Sequence, residues 1–241
     1  MTNFVPFRRK RRLLYIYRIL SFRLNIKYYL VHSLGFTNKE AIRAIESGKL
    51  MVNGSPVTGN IEFDDTCEIF YNDEVLKPHT PFTYIALYKP RGIETTHNPE
   101  IDANLTTVFH FERHLGFAGR LDKESEGLLI LTNDGKYIQK LASPLYEKEK
   151  EYLVTVKQEL TPDFIERLGQ GMDIMICTTK PCFAEIVSDH EFRIILTEGK
   201  NRQIRRMCKA LGYTVTRLIR TRIDLVALDG LQAGEYREFK V

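Results

Sequence analysis

The sequence predicts an α+β protein: a small module followed by a larger domain built on a mixed sheet. Helix and strand signals alternate irregularly, without the strand–helix–strand repeat of a doubly wound sheet. Pro78 and Pro81 punctuate a linker between two stretches of regular structure. The length, 241 residues, suffices for a module of about 60 residues plus a catalytic-sized domain. The expected boundaries are a basic extension over 1–20, the module over 21–80 and the larger domain over 81–241.

In chain order, a helix is expected across Tyr28 to Ser33, before Gly35. Thr37-Asn38-Lys39-Glu40 has capping-box spacing, with Ala41, Ile42, Ala44 and Ile45 continuing as a helix that Gly48 ends. Leu50-Met51-Val52 reads as a strand running into Asn53-Gly54, a tight-hairpin signal. Past the linker, Tyr84–Tyr88, Tyr152–Val156 and Phe192–Thr197 read as strands. Thr132 is expected to cap a helix through Tyr137 and Leu141. Thr161-Pro162 is an N-cap followed by proline at the first helical position. Asn201 to Leu211 forms a further helix, closed by Gly212.

Charge is more informative by position than in total. The formal net charge is +4. Residues 1–39 carry nine lysines and arginines and no acid, and residues 199–222 carry eight more, again with no acid. The remainder holds 18 of the 35 basic residues against all 31 acidic ones. Two basic blocks on an acidic body point to a polyanion, nucleic acid above all. Four cysteines without a C-x-x-C pair fit reduced thiols and a cytoplasmic protein. Leu13 to Leu20, interrupted by Arg18, is too short to cross a membrane, and no small-residue cleavage site follows it. A monomer with no membrane association and no metal or organic cofactor is the expectation. No phosphate-binding loop or dinucleotide fingerprint occurs.

The most distinctive segment runs from Gly119-Arg120-Leu121-Asp122 through Glu124, Ser125, Glu126 and Gly127 into an apolar strand. A polar loop bracketed by glycines on a buried strand can aim one side chain, and Asp122 is the natural carboxylate. Glu124 and Glu126 are expected to be a solvated acidic turn rather than, with Asp122, a Mg²⁺ site. In the 201–211 helix, Ile204, Met207, Cys208 and Leu211 form an apolar stripe. Arg202, Arg205, Arg206 and Lys209 form an opposing basic face, suited to a carboxylate and to phosphates. His110 and His114 stand four apart, but Glu112 is misplaced for a zinc-protease helix. Cys177 and Cys182 read as packing thiols.

These segments are similar to the motifs of the RsuA family of ribosomal RNA pseudouridine synthases. Gly119–Asp122 with Ser125–Leu128 resembles the catalytic motif, Lys89-Pro90-Arg91-Gly92 the first motif, and Lys150–Val154 the strand with the active-site tyrosine. Gly199–Met207 resembles the late basic motif, and the wording of these last two motifs together with Arg220–Ile223 looks closest to the F-type branch acting on large-subunit RNA. The module resembles an S4 RNA-binding domain. The resemblance implies an α+β catalytic domain that isomerises one flipped-out uridine of ribosomal RNA, with transfer RNA as a further candidate substrate. It assigns Asp122 as nucleophile, Tyr152 as the residue that stacks on uracil and removes its C5 proton, and Arg205 as the partner of Asp122. Lys89, Arg120, Lys150, Arg202, Arg206, Lys39, Arg8 and Arg9 are the expected RNA contacts. A non-catalytic S4-type RNA-binding or ribosome-assembly factor is the alternative, and a metal-dependent nuclease using the three acids the third reading.

Overall fold

A computed structural model describes residues 24–63, 66–110 and 115–241. Arg8, Arg9, Glu112 and His114 lie outside the described residues. The chain divides into two compact units, with the break between Pro81 and Phe82.

The first unit contains β1 (Leu24–Asn25), α1 (Ile26–His32), α2 (Asn38–Glu46), β2 (Leu50–Val52), β3 (Ser55–Pro56), β4 (Glu62–Phe63), β5 (Ile69–Tyr71) and β6 (Glu74–Lys77). Thr37 opens α2 with a complete capping box. The Glu40 amide donates to Thr37 Oγ1 at 3.3 Å, and the Thr37 amide donates to Glu40 Oε2 at 2.7 Å. Asn53 and Gly54 both take positive φ, the backbone that a two-residue hairpin between β2 and β3 requires. The helices bury Ile26, Leu30, Ala41 and Ala44 against Leu50 and Ile69 of the β3-β2-β5-β6 sheet. Replacing Thr37 by Ala should cost about 1 kcal/mol in chemical denaturation of the full chain, since the Glu40 amide loses its side-chain acceptor.

The second unit follows as β7 (Tyr84–Lys89), α3 (Leu105–Val108), β8 (Gly116–Phe117), β9 (Glu126–Thr132), α4 (Gly135–Ala142), β10 (Lys150–Val156), α5 (Pro162–Gly169), β11 (Phe183–Ser188), β12 (Glu191–Leu196), α6 (Gln203–Ala210), β13 (Val215–Ile223), β14 (Val226–Ala227) and β15 (Tyr236–Glu238). Among the described residues its strands form one mixed sheet, in the order β11-β12-β10-β13-β9-β7-β15, with β8 and β14 alongside. β9 and β13 run parallel, and the other neighbours are antiparallel. Every residue of β9 is buried, as a continuous apolar run in a central strand should be. β10 instead alternates buried and partly buried positions.

Two helix starts are instructive. Thr161 caps α5 as expected, accepting from the Phe164 amide at 3.2 Å. The cap of α4 is Asp134, which accepts from the Lys136 and Tyr137 amides, whereas Thr132 is the last residue of β9. Thr132 Oγ1 instead accepts from the Asp134 amide at 3.0 Å, so the expected cap acts one step upstream.

At the parallel junction, Gly127 of β9 stands opposite Arg220 of β13 with φ at +105°. A Cβ at Gly127 would lie 2.4 Å from the Arg220 carbonyl oxygen. Gly127→Ala should therefore destabilise the protein by about 3 kcal/mol, read as a lowered denaturation midpoint.

Candidate active site

The loop before β9 is held by its backbone. Buried Thr95 donates its hydroxyl to the Leu121 carbonyl at 2.7 Å and accepts from the Leu121 amide at 3.2 Å. The Gly92 amide donates to the Lys123 carbonyl at 2.7 Å, and the Ser125 amide donates to the Asp122 carbonyl at 3.0 Å. The Leu121 side chain is buried in the same core as Tyr152, Ile204 and Met207. Between these anchors the Asp122 carboxylate stays accessible, with its side chain 34 % exposed.

Two arginines of the 201–211 segment face this loop in different ways. Arg202 has φ +51° at the start of α6, without a side-chain cap. Its guanidinium lies 3.9 Å from Asp122 Oδ2 and 2.9 Å from Glu124 Oε2. Arg205 donates to the carbonyls of Glu124 (3.2 Å) and Val215 (3.4 Å) and to Ser125 Oγ (3.4 Å). The ion pair at Asp122 is thus with Arg202, and Arg205 clamps the loop backbone. Burial pushes the Arg205 guanidinium down from its ordinary value, with Glu124 and then Asp122 among the charges opposing the shift.

Three expectations change in three dimensions. Glu126, expected to be solvated, is only 7 % exposed. It accepts from Arg217 Nε at 2.8 Å and Nη2 at 3.3 Å, and from the Tyr88 hydroxyl at 3.0 Å, which makes its burial tolerable. Lys89, expected to touch RNA, is fully buried, and its ammonium donates to the carbonyls of Pro90 (2.9 Å) and Ile93 (2.7 Å). Burial, reinforced by the Arg220 charge, pushes Lys89 down to about 8 against the pull of Glu126 and Asp122. An ammonium sequestered in this way secures the 90–93 turn and cannot reach a polyanion. Third, the late basic block is not free of acids in space. Arg217 pairs with Glu126, Arg222 with Glu149 and Glu151, and Lys200 with Glu198.

Beside the loop lies a cavity of about 110 Å³, whose lining includes Gly119, Arg120, Lys150, Tyr152, Glu198 and Arg220. That is below the roughly 150 Å³ of a cavity that holds benzene, so nothing larger than a single flat ring can be enclosed there. Tyr152 and Arg220 are direct neighbours across the β10–β13 pairing. Arg220 is 2 % exposed and donates Nε to the Leu128 carbonyl at 2.8 Å and Nη1 to the Arg120 carbonyl at 3.4 Å. Burial lowers its pKa from the ordinary guanidinium value, and the adjacent Tyr152 hydroxyl opposes that. Lys150 is buried, with its ammonium on the Lys148 carbonyl at 3.0 Å. Desolvation, and then the Arg220 charge, push it down. Glu198 Oε1 accepts from the Lys180 amide and from Gln203 Nε2.

The structure therefore brings Arg120, Lys150 and Tyr152 around one cavity, and Arg202 and Arg205 around the Asp122 loop. Arg206 is turned back onto Asn201, and Lys39 lies exposed in the first unit. No site role was expected of Thr95, Arg217, Arg220 or Glu198, although Arg217 and Arg220 belong to the late basic block. Only Arg220 had a legible signal, an arginine at an inward position of an alternating strand between Leu218 and Ile223. Among the described residues no group of three or more His, Cys, Asp or Glu side chains could hold a metal ion. Cys182 packs against the core beside Cys177, and burial pushes its thiol up to about 11.

Residues 83–210 match the RNA pseudouridylate synthase family. The chain is 40% identical over 221 residues to the dual-specificity RNA pseudouridine synthase RluF of Escherichia coli strain CFT073, covering 90% of this chain and 75% of that one. It is 32% identical over 222 residues to ribosomal small subunit pseudouridine synthase A of Vibrio parahaemolyticus, covering 89% and 95%. Among solved structures, a pseudouridylate synthase crystal structure aligns with a TM-score of 0.63 and 30% identity, covering 90% of this chain and 96% of that one.

Because Arg217 and its hydrogen bonds hold the Glu126 carboxyl below its ordinary value of 4.5, against burial, its stabilisation is complete above that value. It is lost as pH falls through the lowered folded value. Melting temperature should thus fall on acidification below about pH 4.5, and Glu126→Gln should start lower and fall less steeply over that window.

Proposed function

This chain belongs to the RNA pseudouridylate synthase family, and on that footing we propose that it isomerises a uridine of ribosomal RNA with Asp122 as nucleophile. The supporting observation is the placement of Asp122. Its backbone neighbours are fixed by Thr95, Gly92 and Arg205 while its carboxylate stays accessible, and Gly119 and Arg120 of the same loop line the cavity.

Isomerisation breaks the bond from C1′ to N1, turns the uracil and joins C1′ to C5. The C5 proton leaves and N1 gains one, so neither redox equivalents nor an external group is consumed. Asp122 forms the covalent intermediate; attack at C1′ and attack at C6 call on the same carboxylate. Arg202, 3.9 Å away, offers the carboxylate a counter-charge. Tyr152 lies under the ring in the cavity and takes the C5 proton. A base inside folded RNA must be extruded to get there, at a cost of a few kcal/mol that backbone contacts offset. Arg120, exposed on the cavity lining, is suited to those contacts, whereas Lys150, expected to touch RNA, is buried with its ammonium on the Lys148 carbonyl.

Large-subunit RNA is the reading we favour, because RluF is a nearer relative than the small-subunit enzyme. The dual specificity in RluF's name calls for a second RNA in the assay, and transfer RNA is our candidate. We read the first unit as an S4-like RNA-binding module, with Lys39 and Arg43 exposed on α2. Arg8 and Arg9 of the basic extension would add phosphate contacts. No described helix is long and apolar enough to cross a membrane. The monomeric and cytoplasmic states remain part of this proposal.

Asp122→Asn should lower tritium release from [5-³H]uridine-labelled ribosomal RNA by roughly 10³-fold or more, with RNA affinity little changed. Full turnover in that variant would remove Asp122 from the chemistry.

A further inference from the structure

Resting on that reading, we propose that the turn Pro144–Tyr146 is an apolar wedge that packs against the RNA bases flanking the extruded uridine. The turn stands at the lip of the cavity, because Ala142 and Pro144 line it together with Tyr152. Leu145 is 90 % exposed and Tyr146 52 % exposed, two large apolar side chains side by side where the protein surface meets the cavity.

The turn is held rather than loose. Ser143 Oγ accepts from the Leu145 amide at 3.3 Å, and the Tyr146 and Glu147 amides donate back to Ser143 and Pro144. Glu147 ends the turn with φ at +46°, and its carboxylate pairs with Lys180 at 2.6 Å. Leu145 and Tyr146 are therefore presented on a short span tied at both ends, so little ordering entropy remains to be lost on contact.

Extruding a base leaves an apolar slot in the stack. Leucine side chains fill such slots, and an aromatic ring offers a face to the next base. Charge selects RNA as the occupant. Arg120, Lys150 and Arg220 line the adjoining cavity, and the carboxylate there, Glu198, is already engaged by the Lys180 amide, Gln203 and Lys200. A polyanion that buries bases suits a lip that is apolar above and cationic within.

The test compares wild type with Leu145→Ser/Tyr146→Ala on labelled large-subunit ribosomal RNA, both as folded transcript and as short single-stranded fragments of it. Melting temperature should be unchanged, because neither side chain is packed in a core. On the folded transcript kcat/KM should fall roughly tenfold, while on fragments it should stay within about twofold of wild type, since little stacking has to be broken there. An equal loss on both RNAs, or wild-type turnover on the folded transcript, would overturn the wedge. Wild-type protein inactive on both would instead count against the activity assigned above.

Discussion

One contact constrains the catalytic half: the parallel pairing of β9 and β13, where Gly127 meets Arg220. The backbones approach so closely that no side chain fits at Gly127. That approach lets Arg220 reach the Leu128 and Arg120 carbonyls from within the sheet. Arg120 lies two residues before Asp122, and Tyr152 lies opposite Arg220 on the next strand. A single buried guanidinium therefore spans the carboxylate loop and the tyrosine strand. A buried charge is costly, and its hydrogen bonds to carbonyls are what make it tolerable.

From this junction follows the division of labour among the cations. Arg217, Arg222 and Lys200 are spent on Glu126, Glu149, Glu151 and Glu198, and Lys89 on the carbonyls of its own turn. They hold the site together and contribute little free charge to a polyanion. Arg202 and Arg205 share the Asp122 loop, one facing carboxylates and the other the backbone. The loop can thus be both positively biased and rigid, as the role proposed for Asp122 requires.

Shape completes the arrangement. A cavity of about 110 Å³ is too small for a base pair, which fits the proposal that the nucleotide is extruded. Geometry and charge together favour RNA with one base turned out.

Local features were legible without coordinates: the Thr37 capping box, the Asn53-Gly54 hairpin, the Thr161-Pro162 start and the loop carrying Asp122. Each depends on neighbours within a few residues, whose hydrogen bonds close over short loops whatever the rest of the chain does. The cap shifted from Thr132 to Asp134 because the strand β9 claimed Thr132 for itself. The fates of Lys89, Glu126, Arg205 and Arg220 were decided only by tertiary structure. Partners distant in sequence decided three of them: Glu124 lies 81 residues from Arg205, Arg217 lies 91 from Glu126, and Leu128 lies 92 from Arg220; for Lys89 burial decided. Charge along a sequence counts ions; only packing determines which of them are already paired, because pairing and desolvation act through space.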